Sequence, residues 1–341
     1  MNLNRYIPAL LNNLIWILLV VVILMFSVLN PMYLTGINFL NILFHASVLG
    51  LLVIGETFVF IPQCMDLSIE STLGLCAAVG AWLCTKSGIP DNGSGWGVNP
   101  LLAEVILLAV GALIGVVIGN LITRLKMNFW VVTLAMLIGL RGIQLVFTYA
   151  NTIYGTPPLY NWLGTLSFGP VPLPVIVVIV AFIIAHIVLA YTPFGRELYA
   201  IGGNREAARA SGVNPEKRIR QVYLIAALLA ALAGWMLSGH ITSVDPVLGQ
   251  GDVFEVMAAC VMGGVSLSGG RGTMVGAFGG VLLLSAVASG LNLVNISPFW
   301  TDAIRGLIIL IAMLIDAQRV RYSAPAAAKT GLAAPAVPAG R

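Results

Sequence analysis

The chain has 341 residues, of which 59% are hydrophobic and only 9% are charged, with a net charge of +4. Soluble globular proteins carry roughly 25% charged residues, so this composition excludes a soluble catalytic domain. It predicts an all-α integral membrane protein, because a span needs roughly 20 mainly apolar residues to cross about 30 Å of hydrocarbon and such stretches recur along the chain.

In chain order the predicted spans are 14–29, 39–61, 67–85, 101–123, 129–149, 173–191, 221–241, 254–267, 274–293 and 300–316. The first resembles a signal sequence, but no small-residue cleavage site follows it, and Asn30-Pro31-Met32-Tyr33 reads as an interfacial turn. Residues 254–267 are short for a full crossing and suit a half-helix or re-entrant segment. The join 62–66 is either a tight loop or a break within the membrane. Cys64, Cys76, Cys84 and Cys260 form no CxxC pair and read as small hydrophobes, not a disulfide framework or metal site. His45, His186 and His240 show no metal-ligand spacing either.

Basic residues set the orientation. Arg124 and Lys126 share one short connection. Arg196, Arg205, Arg209, Lys217, Arg218 and Arg220 crowd another, and Arg319, Arg321, Lys329 and Arg341 lie in the tail. Basic connections stay in the cytoplasm, and ten alternating spans put all three clusters there with both termini inside. The expected organisation is a single transmembrane domain, 1–316, with a cytoplasmic loop at 192–220. A disordered, basic, Ala/Pro-rich cytoplasmic tail follows at 317–341. Two rows of small residues, Gly111, Gly115 and Gly119 and then Gly272, Gly276 and Gly280, clear a helix face for a close neighbour. That neighbour is either in the same subunit or across a dimer contact.

The 192–220 loop carries its own punctuation. Asn204 is a good N-cap, Glu206 suits the positive helix start, Ala207, Ala208 and Ala210 favour helix, and Gly212 suits a left-handed C′ position. Asn214 caps a second helix with Pro215 at its first position. The first helix sets Arg205 and Arg209 four apart on one side. Such a rigid element is either a docking surface or an interfacial helix on lipid headgroups.

The run Thr192-x-x-Gly195-Arg196-x-x-Tyr199-Ala200-x-Gly202-Gly203-Asn204-x-x-Ala207-Ala208-x-x-Ser211-Gly212 resembles the signature of ribose-type ABC permeases, the monosaccharide branch of the branched-chain-substrate permease superfamily. Two further stretches match in order. Residues 41–78, with Asp66-Leu67-Ser68, resemble the family's Gly-Gly-Ile-Asp-Leu-Ser-Val-Gly region. Residues 255–280, with Gly263-Gly264-Val265-Ser266-Leu267-Ser268-Gly269-Gly270-Arg271-Gly272, resemble its Gly-Gly-x-Ser-Leu-x-Gly-Gly-x-Gly segment. The resemblance covers roughly residues 35–317. It implies the permease subunit of a bacterial inner-membrane importer for a sugar or sugar-like solute. A periplasmic binding protein would deliver the solute, a cytoplasmic ABC ATPase would bind ATP and Mg, and a second permease copy or a paralogue would complete the path. The 204–212 helix would then be the coupling helix. Gly195, Arg196, Gly202, Gly203, Asn204, Ala207, Ala208, Ser211 and Gly212 carry over by motif position. The chain departs from the pattern where Gln63-Cys64 replaces Gly-Gly and where Glu70 replaces Gly, which bears on the substrate more than on the family.

Charged groups in apolar spans cost at least about 2.5–3.5 kcal/mol at the bilayer centre, so Glu56, Asp66, Glu70, Arg141, Glu255 and the Asp302–Arg305 pair each need a reason. Glu56, Asp66, Ser68, Glu70, Glu255 and Asn292 are the candidate path residues; Asn292 and Asn295 also suit turn or interfacial capping. No Gly-x-x-x-x-Gly-Lys-[Ser/Thr] occurs anywhere, so energy comes from another polypeptide or from an ion gradient. The alternatives are an ion-coupled secondary transporter, which would not need the capped helix, and a membrane-embedded enzyme, which would show a metal cluster or a nucleophile arrangement. No cofactor on this chain and no nucleic-acid partner are expected.

Overall fold

The computed structural model describes residues 14–86, 95–294, 296, 300, 303, 306, 307 and 310. Its helices in chain order are α1 (Leu14–Leu29), α2 (Gly36–Phe60), α3 (Ile69–Cys84), α4 (Pro100–Thr123), α5 (Phe129–Thr148), α6 (Pro158–Thr165), α7 (Leu173–Tyr191), α8 (Pro193–Gly203), α9 (Arg205–Ala210), α10 (Pro215–Ile241), α11 (Asp252–Met262) and α12 (Met274–Leu293). Among the described residues, α2, α4, α5, α7, α10 and α12 are long and apolar enough to cross a membrane, and α1 and α3 are shorter apolar helices. The predicted span 254–267 is the eleven-residue α11, roughly 16 Å long, too short to cross the hydrocarbon by itself. The tenth predicted span lies mostly outside the described residues, as do Asn295, Asp302, Arg305 and the tail 317–341.

Burial sorts the helices into a centre and a periphery. The most apolar windows of α10 and α12 are 67% buried within the chain, that of α5 only 28%. Helix α10 is the central post: α4, α2 and α3 all pack on it. The first glycine row lies on that contact. A Cβ on Gly111 would stand 2.6 Å from Ala231 Cβ, on Gly115 2.7 Å from the Tyr223 carbonyl and on Gly119 3.0 Å from Arg220 Cα. In the second row Gly276 and Gly280 join α12 to α11, since a Cβ there would lie 2.0 Å from the Gly263 or Ala259 carbonyl, whereas Gly272 lies in the loop before α12, against Val265, and not on its face. Both rows thus face neighbours in the same chain.

The connections fall at two ends. At the hairpin end, Ile153–Tyr154 pairs antiparallel with Ser243–Val244, Ser167–Phe168 pairs with Val171–Pro172, and Lys86 bridges to Trp96. Helix α6 docks on α10 there, with Tyr160 Oη 3.0 Å from Ser238 Oγ and Trp235 Nε1 donating to the Tyr160 carbonyl at 2.9 Å. The connections 61–68, 124–128 and 192–214 form the opposite, loop end.

Candidate functional site

The loop end is built by local capping chemistry. Thr192 Oγ1 accepts from the Gly195 N–H, and Pro193 holds the first position of α8. Asn204 leaves the helical region at φ −160°, and its Oδ1 accepts from the N–H groups of Glu206 and Ala207, both at 3.0 Å, to start α9. The helix ends in a paired closure. The Gly212 N–H reaches the Arg209 carbonyl at 3.0 Å and the Val213 N–H the Ala208 carbonyl at 3.1 Å, with Gly212 at φ +87° where a side chain would be strained. Asn214 Oδ1 then accepts from the Lys217 N–H at 2.9 Å to begin α10. The sequence anticipates α9 and its caps, but reads 193–203 as loop. It is helical because Leu198 and Ile201 bury one face completely against the bundle.

Ion pairs hold these pieces together. Arg218 donates to Glu197 through Nε at 2.6 Å and Nη2 at 2.9 Å, clamping α10 to α8, and its guanidinium lies 5.4 Å from the centre of the Phe194 ring. The hydrogen bonds from Arg218 hold the Glu197 carboxyl below the usual carboxylate range. Arg205 and Arg209 both reach Glu216, and Arg209 also pairs with Glu206 at 3.3 Å, so the two arginines tie α9 to the start of α10. Ala208 faces inward and is buried, whereas Gly203, Asn204, Ala207, Ser211 and Gly212 are exposed. The element presents small residues, flanked by Arg205, Glu206 and Arg209, on a stiff support. Arg196 is exposed and donates to the Tyr191 carbonyl at 3.4 Å. Gly195 is buried and leaves no room beside the Leu189 carbonyl, 2.0 Å from a Cβ built there. Glu197, Glu216 and Arg218 have no part in the sequence motifs singled out, because pairs 7, 11 and 21 residues apart leave no local signal.

The three sequence motifs meet behind this surface. The Gly270 N–H donates to the Ile61 carbonyl at 2.9 Å, and a Cβ on Gly202 would lie 1.9 Å from that same oxygen. Tyr199 Oη donates to the Gly272 carbonyl at 2.6 Å, and Gln63 Nε2 donates to the Ser268 carbonyl. The turn 61–66 that precedes α3, the end of α8 and the loop after α11 are therefore in backbone contact.

Above this crossing the predicted path residues divide. Glu56 is fully buried on α2 (0% exposed). Its Oε1 accepts from the Asp66 N–H at 3.1 Å, while Oε2 has no hydrogen-bond partner among the described protein groups. Asp66 Oδ1 accepts from both the N–H (2.9 Å) and the Oγ (2.5 Å) of Ser68, closing the turn into α3. Glu70 is engaged by the architecture. Its Oε2 accepts from the N–H groups of Gly251 (2.9 Å) and Val253 (3.2 Å), capping the start of α11, and its Oε1 pairs with Arg141 at 3.4 Å. Arg141 also donates to Gln144 and to the Leu248 carbonyl. Glu255 is buried on α11 and lines a cavity of about 130 Å³ with Asp252, His45, Phe44 and the apolar residues Val48, Leu49, Leu52 and Leu237. Asn292 is exposed at the end of α12. The described residues hold no group of three His, Cys, Asp or Glu side chains fit for a metal ion.

A bundle of apolar helices, six of them long and apolar enough to cross a membrane among the described residues, with a self-capped polar element at one end, is the architecture of a multi-pass membrane protein. Residues 38–313 match the family described as "Branched-chain amino acid transport system / permease component", and the chain belongs to it. Over 303 residues it is 38% identical to the ribose import permease protein RbsC of Bacillus subtilis (strain 168), covering 88% of this chain and 91% of that protein. It is 30% identical over 325 residues to the galactose/methyl galactoside import permease protein MglC of Escherichia coli (strain K12), covering 93% and 97% of the two chains. The fructose import permease protein FrcC of Rhizobium meliloti is 31% identical over 309 residues, covering 88% and 83%. No solved structure matches the chain.

Proposed function

We propose that this chain is the membrane-spanning subunit of an ATP-driven importer in the bacterial inner membrane, moving a sugar or sugar-like solute handed over by a periplasmic binding protein. The loop end faces the cytoplasm, where the basic residues of 124–126 and 196–220 belong. The chain forms one transmembrane domain, 1–316, with ten spans once 300–316 is counted. Both termini are cytoplasmic and the tail is 317–341. The α8–α9 surface, with Arg205 and Arg209 on its flank, seats in a separate ATPase that carries ATP and Mg, and a second copy or a paralogue completes the path.

The observation that carries this reading is the outer face of α8–α9. It is stiffened by three consecutive caps and two sets of ion pairs, yet leaves Gly203, Asn204, Ala207 and Ser211 uncovered. A rigid surface of small side chains suits insertion into a partner's cleft, and a stiff lever passes a small displacement on to packed helices. The names of the relatives support a sugar as cargo, and the cavity beside Glu255 supports a place where a carboxylate meets hydroxyl groups.

Reconstitution into proteoliposomes with the cognate ATPase and binding protein tests the proposal. Uptake of one member of a pentose, hexose and polyol panel is expected only with ATP inside and binding protein outside. Accumulation driven by a proton or sodium gradient with no ATPase present would overturn it in favour of a secondary transporter.

A further inference from the structure

We propose that the turn 61–66 is a latch through which movement of α8 reaches both α3 and α11, with Tyr199 and Gln63 as its positioning residues. The inference rests on the permease reading for its direction of force and on geometry for its parts. Helix α8 meets the turn where Gly202 leaves no space beside the Ile61 carbonyl, and the same oxygen holds the Gly270 N–H. The loop 263–272 is gripped twice more, at Gly272 by Tyr199 Oη and at Ser268 by the Gln63 side chain. From the turn the chain enters α3 through Asp66, whose N–H Glu56 holds from α2 and whose carboxylate accepts from the Ser68 N–H. On the other side of the turn Tyr223 Oη of α10 donates to the Met65 carbonyl at 2.8 Å. From the 263–272 loop the chain runs back into α11, which carries Glu255. A displacement of α8 must therefore carry the start of α3 and the end of α11 together, since close-packed backbones shift as units.

Gln63 makes this latch particular to the chain. It sits at φ +63°, a conformation that favours glycine, at a position where the resemblance puts a glycine. A non-glycine residue persists in this region when its surroundings hold it, and here its side chain lies over Gly269, 2.3 Å from where a Cβ would stand. The side chain that makes the backbone unfavourable is the one that ties the turn to the loop.

The test pairs Tyr199→Phe with Gln63→Gly, singly and combined. The first removes one hydroxyl; the second relaxes the backbone while deleting the tie. In proteoliposomes with ATPase and binding protein, solute accumulated per ATP hydrolysed is expected to fall at least about fivefold in the double variant, the size set by two weak hydrogen bonds, with hydrolysis itself retained. In the isolated permease, hydrogen exchange in a peptide spanning 266–272 is expected to quicken by a similar factor. An unchanged ratio with unchanged exchange overturns the latch, as does a parallel fall of transport and hydrolysis, which marks lost docking. If the wild type accumulates solute without ATPase, it is the permease reading that fails, and the exchange measurement still decides the latch.

Discussion

Gly202 and Gly203 share one motif but not one environment. A Cβ on Gly202 would meet the Ile61 carbonyl at 1.9 Å and the Gly270 nitrogen at 2.5 Å, both backbone atoms that cannot swing aside, whereas around Gly203 nothing lies within 4 Å. Gly202→Ala therefore pushes α8 off the bundle. It is expected to cost at least about 1–3 kcal/mol, read as a lower unfolding temperature in detergent and reduced membrane yield. Gly203→Ala should leave both unchanged. Gly203→Trp should also fold and insert normally, yet abolish ATP-dependent uptake and any stimulation of the ATPase, because the indole stands where the partner must seat. Normal uptake by Gly203→Trp would remove the case for docking at this face, and an undisturbed Gly202→Ala would contradict the crossing.

At the scale of elements, α8 is held from two sides: its apolar face is buried, and Glu197 is clamped by Arg218 across to α10. Both side chains are partly exposed, 26% for Glu197, so Glu197→Gln is expected to cost no more than about 1 kcal/mol. Since the folded carboxyl is held below its unfolded value, the clamp contributes fully once pH exceeds the ordinary carboxylate range, and it is lost only as acid protonates the folded group. The stability difference between wild type and Glu197→Gln should thus stay flat between about pH 6 and 8 and shrink near about pH 4. A difference that grew on acidification would reverse the assignment. The elements also mark what the sequence can disclose. Helix α9 is legible because Asn204, Gly212, Asn214 and Pro215 are local signals that act on their own neighbours. The long apolar helices are legible because hydrocarbon selects length and composition. Helix α8 is not, since Gly202-Gly203 reads as a break until the approach of Ile61 and Gly270 explains why glycine is needed inside a helix. Helix α11 shows only as a segment too short to cross.

At the scale of the whole molecule, the acidic residues of the interior are where sequence reasoning reaches its limit, because a charge in an apolar span is visible while its partner is not. Glu70 and Arg141 lie 71 residues apart and meet only in the fold. Together they support the start of α11, with the backbone N–H groups of Gly251 and Val253 directed at the Glu70 carboxylate. Backbone donors in a span must be satisfied by the protein itself, and removing one member of a buried ion pair leaves the other uncompensated, at about 3–5 kcal/mol. Glu70→Ala is therefore expected to lose folded protein, seen as failure to recover a monodisperse permease from detergent, whatever the solute. Glu255, on the wall of the cavity with His45 and Asp252, should behave in the opposite way. Glu255→Gln keeps the size and an acceptor oxygen but drops the charge, and loss of one charge-assisted hydrogen bond to a hydroxyl corresponds to roughly tenfold in apparent affinity. Uptake titrations should show that shift at normal expression, and unequally across a pentose, hexose and polyol panel. If Glu255→Gln instead mimics Glu70→Ala by losing folded protein, its carboxylate belongs to the scaffold; if uptake is unchanged for every solute, the path runs elsewhere.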